Sequence, residues 1–355
     1  MKKKKAYIAL AVLGILGIAG YFLVSTLFSG PLYSVGELTE SPRYAHLLKA
    51  CDKTDKANHF VLNDDISIYY QKYGEGKPAL VIHGGPGIPP SGEWPGLDRL
   101  TSSYAMHYYH QRGCGQSTRP FDTFESGNFF ENMKLLDENL GIPAQLADIE
   151  QIRKKLGTEK ITLIGHSFGG FLASLYASEF PDNVEALVLI APASVLRMPV
   201  EGEDLFGTVR SKLPENEKKN FDLYLERFFD FGSLFEKSES ELAKLHSEFI
   251  PYYQMATGMP VGGHVEGIGG WHQFACYISM GKKHDYSKSL ANIKAPTLIL
   301  HGDKDLSKPE SVKLYRENIP GNRFELIRGA GHFIFADRPN ELYQTVSEFL
   351  SSAGN

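Results

Sequence analysis

Between a short apolar run at 161–164 and a stretch of helical character at 171–180, the chain carries Gly165-His166-Ser167-Phe168-Gly169. A serine with a glycine two residues to either side, placed where a strand gives way to a helix, leaves little choice of local structure. The turn is so tight that a side chain at 165 or 169 would collide across it, and the serine backbone is pushed into a strained conformation. The Ser167 hydroxyl is then expected to project above a sheet, next to backbone N–H groups and the positive end of a helix. An ordinary glycine-rich turn is the alternative, and the strand-turn-helix context argues against it.

The surroundings supply the sheet. Residues 66–73 alternate as a strand does, 79–83 form an apolar run ending in glycines, and 104–110 make a third candidate strand rich in aromatics. From 143 to 156, Leu146, Ile149, Ile152 and Leu156 recur at helical spacing with Gly157 as a stop, which predicts an amphipathic helix. A strand at 161–164, a helix at 171–180 halted by Pro181 and a strand at 184–191 follow. Alternation of this kind predicts an α/β fold, a mostly parallel sheet with helices on its faces. Over 193–290 the pattern becomes long charged helical segments, such as 217–231 and 239–253, and reads as an inserted helical cap. The alternation resumes with a strand at 297–301, a helix at 309–318, a strand at 323–327 and a helix at 339–350. The expected organisation is therefore an N-terminal segment 1–30, a polar linker 31–58, a core in two parts (59–192 and 291–355) and the cap between them.

A serine hydroxyl is a weak nucleophile at neutral pH, so a base must take its proton and a carboxylate must hold that base. In a fold of this kind the acid and then the histidine follow the serine in chain order. His332 lies in Gly329-Ala330-Gly331-His332-Phe333, a loop just beyond the strand 323–327, and is the candidate base. The strand 297–301 ends in Gly302-Asp303-Lys304-Asp305, which offers two acids. Asp305 sits farther out, where its side chain can turn toward an imidazole, whereas Asp303 suits the closing of a turn; periodicity does not separate them. His83-Gly84-Gly85-Pro86-Gly87 follows the strand at 79–82, and its glycines let a backbone N–H approach a substrate carbonyl. The N–H groups of Gly85 and Phe168 are the candidate oxyanion hole. A phosphate loop is disfavoured because the Lys-Ser/Thr ending of that motif is missing.

Composition bears on partners and compartment. Net charge is −5, and the one basic cluster is Lys2 to Lys5, so nucleic acid is not an expected partner. Three cysteines, Cys51, Cys114 and Cys276, allow at most one disulfide and match no zinc-ligand spacing; no metal or cofactor is expected. After the lysines, Ala6 to Phe28 is uncharged and apolar. That length suits a bilayer crossing, which takes about 20 residues, better than the apolar part of a cleaved signal, about 7–15. The lysines are expected to stay in the cytoplasm, which places the catalytic part outside the membrane as a single-pass anchored protein.

The motifs together resemble the proline iminopeptidase (prolyl aminopeptidase) family of α/β hydrolases. The resemblance rests on the His83 to Gly87 segment, Gln111-Arg112-Gly113-Cys114-Gly115-Gln116-Ser117, the Gly165 to Gly170 segment, Gly302 to Asp305 and Gly331-His332, and it spans roughly residues 60 to 350. It implies the α/β-hydrolase fold, favours Asp305 over Asp303 as triad acid, and supports Gly85 and Phe168 as oxyanion donors. The family usually has aspartate before Gln-Arg-Gly, whereas this chain has His110. It also implies cap carboxylates that grip a free N-terminal amine. Of Glu201, Glu203, Glu226 and Glu266, Glu266 in its glycine-rich stretch is preferred, with Trp271 and Phe274 as candidates for an apolar pocket. The implied activity is release of N-terminal residues, proline preferred, from short peptides through an acyl-enzyme. An esterase or lactonase on the same scaffold is the alternative, and a membrane-anchored binding protein without catalysis a more remote one. Epoxide hydrolases and haloalkane dehalogenases are disfavoured, because they carry aspartate where this chain has Ser167.

Overall fold

Four strands of this chain are buried over most or all of their length: β3 (Lys77–Ile82), β5 (Ile161–His166), β6 (Val184–Ile190) and β9 (Thr297–Gly302). Near-continuous apolar runs of this kind belong to parallel strands covered on both faces. The computed structural model describes residues 30–49, 51, 53–200, 204–258 and 266–353, and in it these strands form the middle of an eight-stranded sheet. With β1 (His59–Val61), β2 (Ser67–Tyr73), β4 (Tyr104–Tyr109) and β10 (Arg323–Ile327), the order is β1-β2-β4-β3-β5-β6-β9-β10. Only the β1–β2 and β2–β4 pairings are antiparallel. The three-residue β1 carries too little periodicity to be read from sequence.

Helices cover both faces. On one lie α2 (Ile142–Lys155) and α3 (Phe168–Glu179), while α1 (Phe129–Leu140), just before them, buries Met133, Leu136 and Leu140 in the cap's cluster. On the other lies the C-terminal helix Pro339–Ala353, whose Leu342, Val346, Phe349 and Leu350 are buried. The sequence reading missed α1 altogether. It read α2 as amphipathic, but every residue from Ile142 to Ile152 is buried.

The reason lies upstream. Residues 31–49, part of the stretch 31–58 expected as a linker, run over the helical face as a strap: Tyr33, Leu38, Tyr44 and Leu47 are buried in the main core. Tyr33 Oη donates to Glu179 at 2.8 Å, Tyr44 Oη donates to Asp137 at 2.9 Å, and Arg43 pairs with Asp137 and Glu138 at 2.7 and 2.8 Å. Gln151 Nε2 donates to the Leu47 and Lys49 carbonyls. With Asp148 paired to Arg112 and Gln145 Nε2 donating to the Arg112 and Leu140 carbonyls, the polar side of α2 faces protein rather than water. The stretch from Ala6 to Phe28, expected to cross a membrane, lies outside the described residues, among which no helix is long and apolar enough to span one.

The cap enters between β6 and β9. At its base, two-residue strands β7 (Arg197–Met198) and β8 (His284–Asp285) pair antiparallel where the chain leaves and returns. Above them stand α4 (Leu205–Lys212), α5 (Glu215–Phe228), α6 (Glu239–Ser247), α7 (Phe249–Thr257) and α8 (Trp271–Met280). The single helix expected over 239–253 is broken at Glu248, because Pro251 lacks an N–H and is tolerated only in the first turn of a new helix. The cap has its own core, built on Phe221, Tyr224, Phe228, Leu242, Trp271 and Phe274.

Candidate active site

Ser167 sits between β5 and α3 with φ 54° and ψ −122°. A non-glycine residue at positive φ stores strain of about 1–3 kcal/mol and persists only where its surroundings over-determine it. Here the Ser167 N–H donates to the Ile190 carbonyl at 3.0 Å, and its own carbonyl accepts from the N–H groups of Gly170, Phe171 and Ala193. The flanking glycines are required by contact. A Cβ at Gly165 would strike the Gly169 backbone, one at Gly169 would strike the Ile82 and His83 carbonyls, and one at Gly84 would lie 2.8 Å from Ser167 Cβ.

His332 Nδ1 and Asp305 Oδ2 are 2.7 Å apart, and the Asp305 carboxylate is almost fully buried. Burial alone would raise the Asp305 pKa, but the charge and hydrogen bond of His332, with the Ser307 N–H, hold it below the usual carboxylate value. Asp303 instead accepts the Gly329 N–H at 2.6 Å, tying the loop after β9 to the loop after β10. The structure thus brings Asp305, not Asp303, to the imidazole. His166 Nε2 lies 2.9 Å from the His332 carbonyl oxygen, a link that the sequence reading missed. No hydrogen bond joins the Ser167 hydroxyl to His332, although both line one cavity; such contacts are often long before substrate binds.

Gly84 and Gly85 line the same cavity, beside Ser167. Among the described residues, the N–H groups of Gly85 and Phe168 have no hydrogen-bond partner. The loop is fixed from behind by His83. Its Nδ1 is 2.9 Å from the Gly84 carbonyl, its Nε2 accepts the Gln111 N–H at 3.1 Å, and its carbonyl accepts from Gln111 Nε2 at 2.7 Å. Burial lowers the His83 pKa to about 3, so the ring is neutral with its proton on Nδ1. The Gln-Arg-Gly motif is scaffolding of this sort throughout. Arg112 forms a buried two-point pair with Asp148 on α2, and His110 Nδ1 accepts the Gln116 N–H at 3.0 Å. An acceptor is what that turn requires, and the imidazole supplies one where the family usually has a carboxylate.

The cavity holds about 1070 Å³. The cap contributes Phe206, Tyr224, Phe228, Phe249 and Tyr253, and the core contributes Trp94, Phe333 and Phe335. Two carboxylates line it among the described residues, Glu266 and Glu93, and sequence gave no signal for the second. Trp271 does not line it, contrary to expectation. Its indole is fully buried, donates from Nε1 to the Asp122 carbonyl at 2.9 Å and stacks on Phe235, because that side of α8 faces the cap core. Phe274 is buried in the same cluster. Glu226 is on the exposed surface of α5, while Glu201 and Glu203 lie outside the described residues. No group of three or more His, Cys, Asp or Glu side chains among the described residues could hold a metal ion.

A family model for the alpha/beta hydrolase fold matches residues 77–339, more than half of the chain. The chain belongs to the α/β-hydrolase fold family. A proline iminopeptidase of Lactobacillus delbrueckii subsp. bulgaricus is 26% identical over 288 residues, which cover 78% of this chain and 90% of that protein. Among solved structures, a bromoperoxidase from Bacillus anthracis is 26% identical with a TM-score of 0.51, covering 81% of this chain and 96% of its own. The proline iminopeptidase of Mycobacterium smegmatis, at 17% identity and a TM-score of 0.52, covers 82% of this α/β hydrolase and 96% of its own chain, and shares the fold.

Proposed function

We propose that this α/β hydrolase is a serine hydrolase working through an acyl-enzyme. Ser167 attacks the substrate carbonyl, His332 takes the serine proton and passes it to the leaving group, and Asp305 holds the imidazole in the productive tautomer. The Gly85 and Phe168 N–H groups receive the developing oxyanion, and water then releases the acid. The observation that carries this reading is the 2.7 Å contact between His332 and a buried Asp305, in the cavity that Ser167 lines. The preferred substrate is a short peptide with a free N-terminus, proline favoured. The proline iminopeptidase relatives and the placement of Glu266 on the cavity wall support that preference.

A second reading, a carboxylesterase for apolar acyl groups, is favoured by the aromatic lining and by a volume at the upper end of the usual range for ligand pockets. One substrate panel separates them: prolyl and alanyl arylamides, their N-acetylated forms and simple aryl esters. An aminopeptidase loses activity when the amine is blocked; indifference to the block turns the reading to an esterase. Ser167→Ala should abolish both turnover and labelling by a fluorophosphonate probe, and retained turnover removes the serine from its role. We further propose that the apolar stretch before residue 30 anchors the protein with its catalytic part outside the cytoplasm. Recovery of the full chain in the soluble fraction would exclude the anchor.

A further inference from the structure

On the cap side of the cavity, α6 presents His246. The side chain is buried and lines the cavity wall. Its Nδ1 lies 3.1 Å from the Gly269 carbonyl oxygen, and a carbonyl can only accept, so Nδ1 carries a proton. Burial pushes the pKa of the ring down to about 4, with no charged side chain contributing. At neutral pH the imidazole therefore holds one proton, on Nδ1, and Nε2 is a bare lone pair.

That lone pair has no hydrogen-bond partner among the described residues. Nor is it one of the unpartnered polar atoms sealed away from solvent, unlike both ring nitrogens of the nearby His272. It is open to the cavity. The other cavity histidines already have roles: His83 uses both nitrogens, His110 Nδ1 closes a turn, His166 holds the His332 carbonyl, and His332 is held by Asp305 as the candidate base. His246 is the one histidine that the cap contributes to this wall among the described residues, and it combines an anchored donor with an acceptor that the catalytic pair does not use. An open acceptor of fixed direction is available to a ligand donor, which would take the place of water there.

We propose that His246 is a specificity-determining residue whose Nε2 accepts a hydrogen bond from an N–H of the substrate's amino group, alongside the Glu266 carboxylate that lines the same cavity. The inference rests on the aminopeptidase reading and adds a residue to it. A substrate ammonium offers several N–H donors. One carboxylate supplies charge without fixing direction, whereas a ring pinned at Nδ1 aims a second acceptor along one line. The neutrality of the ring matters, since a protonated His246 would repel the cation.

The test compares L-prolyl and cyclopentanecarbonyl aryl esters, which differ in one ring atom, NH against CH₂. His246→Asn keeps a donor at the Nδ1 position for Gly269 and deletes the acceptor; His246→Gln places an amide oxygen within reach of the Nε2 position. The preference of wild type for the prolyl ester in kcat/KM should fall on the order of ten- to a hundredfold in His246→Asn, chiefly through KM, and recover in His246→Gln. An unchanged ratio in His246→Asn overturns the proposal, as does a loss that falls equally on both esters, the mark of a packing role. Calorimetric binding of prolinamide and cyclopentanecarboxamide to Ser167→Ala, with and without His246→Asn, needs no turnover. If no ester is hydrolysed but prolinamide binding still depends on His246, the hydrolase reading fails and this one stands. Prolinamide that binds no better than its carbocyclic counterpart, or equally well without His246, overturns it.

Discussion

His166 Nε2 and the backbone carbonyl oxygen of His332 are 2.9 Å apart, so the residue preceding the elbow serine holds the loop that carries the imidazole. The carbonyl can only accept, and burial lowers the His166 pKa to about 3, so the donor is a neutral ring with its proton on Nε2. Serine and base are thus registered through one side chain rather than through the sheet alone. His166→Leu, which keeps bulk and removes the donor, should lower kcat by roughly ten- to a hundredfold, since small misplacements of a reacting group are expensive. His166→Gln, with an amide N–H in reach of the same carbonyl, should recover most of it. Steady-state kinetics on both variants, with circular dichroism to confirm folding, checks the pair; equal activity of Leu and Gln would show that the bond does not position the base.

The two acids after β9 have separable jobs. Asp305→Asn keeps a hydrogen-bonding group beside His332 but favours the wrong tautomer and withdraws the charge that stabilises an imidazolium. A loss on the order of 10³–10⁴-fold in kcat is expected for a triad acid. Asp303→Asn leaves an amide oxygen to accept the Gly329 N–H, so its effect should stay within a few-fold. Comparable losses in the two variants would mean that the loop, not the charge, is what activity requires.

How much of this was legible follows from what each feature depends on. The Ser167 turn and the strands β2 to β6, β9 and β10 announce themselves through local pattern: glycines where a Cβ collides, apolar or alternating runs where faces are covered. Periodicity does not separate Asp305 from Asp303, because the difference is where each side chain turns in space; position along the loop favours Asp305 and the resemblance strengthens that choice. Trp271 was misassigned because helix periodicity does not say whether an aromatic faces a cavity or a neighbouring helix. The strap escaped because its buried residues, Tyr33, Leu38, Tyr44 and Leu47, are widely spaced and its polar groups find partners far along the chain. His246 Nε2 was invisible for the same reason, since its role depends on Gly269, 23 residues on.

Buried neutral histidines predict the acid limb of stability. His83 and His166 have pKa values lowered by burial to about 3, against about 6.5 in an unfolded chain. Between those values the unfolded state binds protons that the folded state refuses, so stability is full above about pH 6.5 and falls as pH drops below it. One such group contributes a slope of about 1.4 kcal/mol per pH unit. Urea unfolding at pH 7, 6 and 5 should show this decline, and His83→Gln should flatten it by up to about one proton's worth. A slope unaltered by the substitution would mean that His83 takes up its proton in the folded state.

The strap gives the last prediction. Asp137 is fully buried and accepts from Arg43, from Tyr44 Oη at 2.9 Å and from Ser279 Oγ on α8, so one carboxylate joins strap, α1 and cap. Burial raises its pKa, and its partners work against that rise. Arg43→Met removes the one cation paired with Asp137 among the described residues and leaves a buried carboxylate with neutral partners, which should cost about 1–3 kcal/mol; the upper end of the range for breaking buried pairs does not apply because the Arg43 side chain is partly exposed. Arg43→Met combined with Asp137→Asn should recover part of the loss, since the buried charge is then gone. Because α8 also carries Gln273 and Tyr277 into the cavity, Arg43→Met should raise KM for cavity-filling substrates while leaving labelling of Ser167 intact. Urea unfolding of the single and double variants, alongside KM measurements, checks both. A double variant less stable than Arg43→Met alone would show that the Asp137 charge is stabilising even without its cation, and that the strap is held by Tyr44 and Ser279.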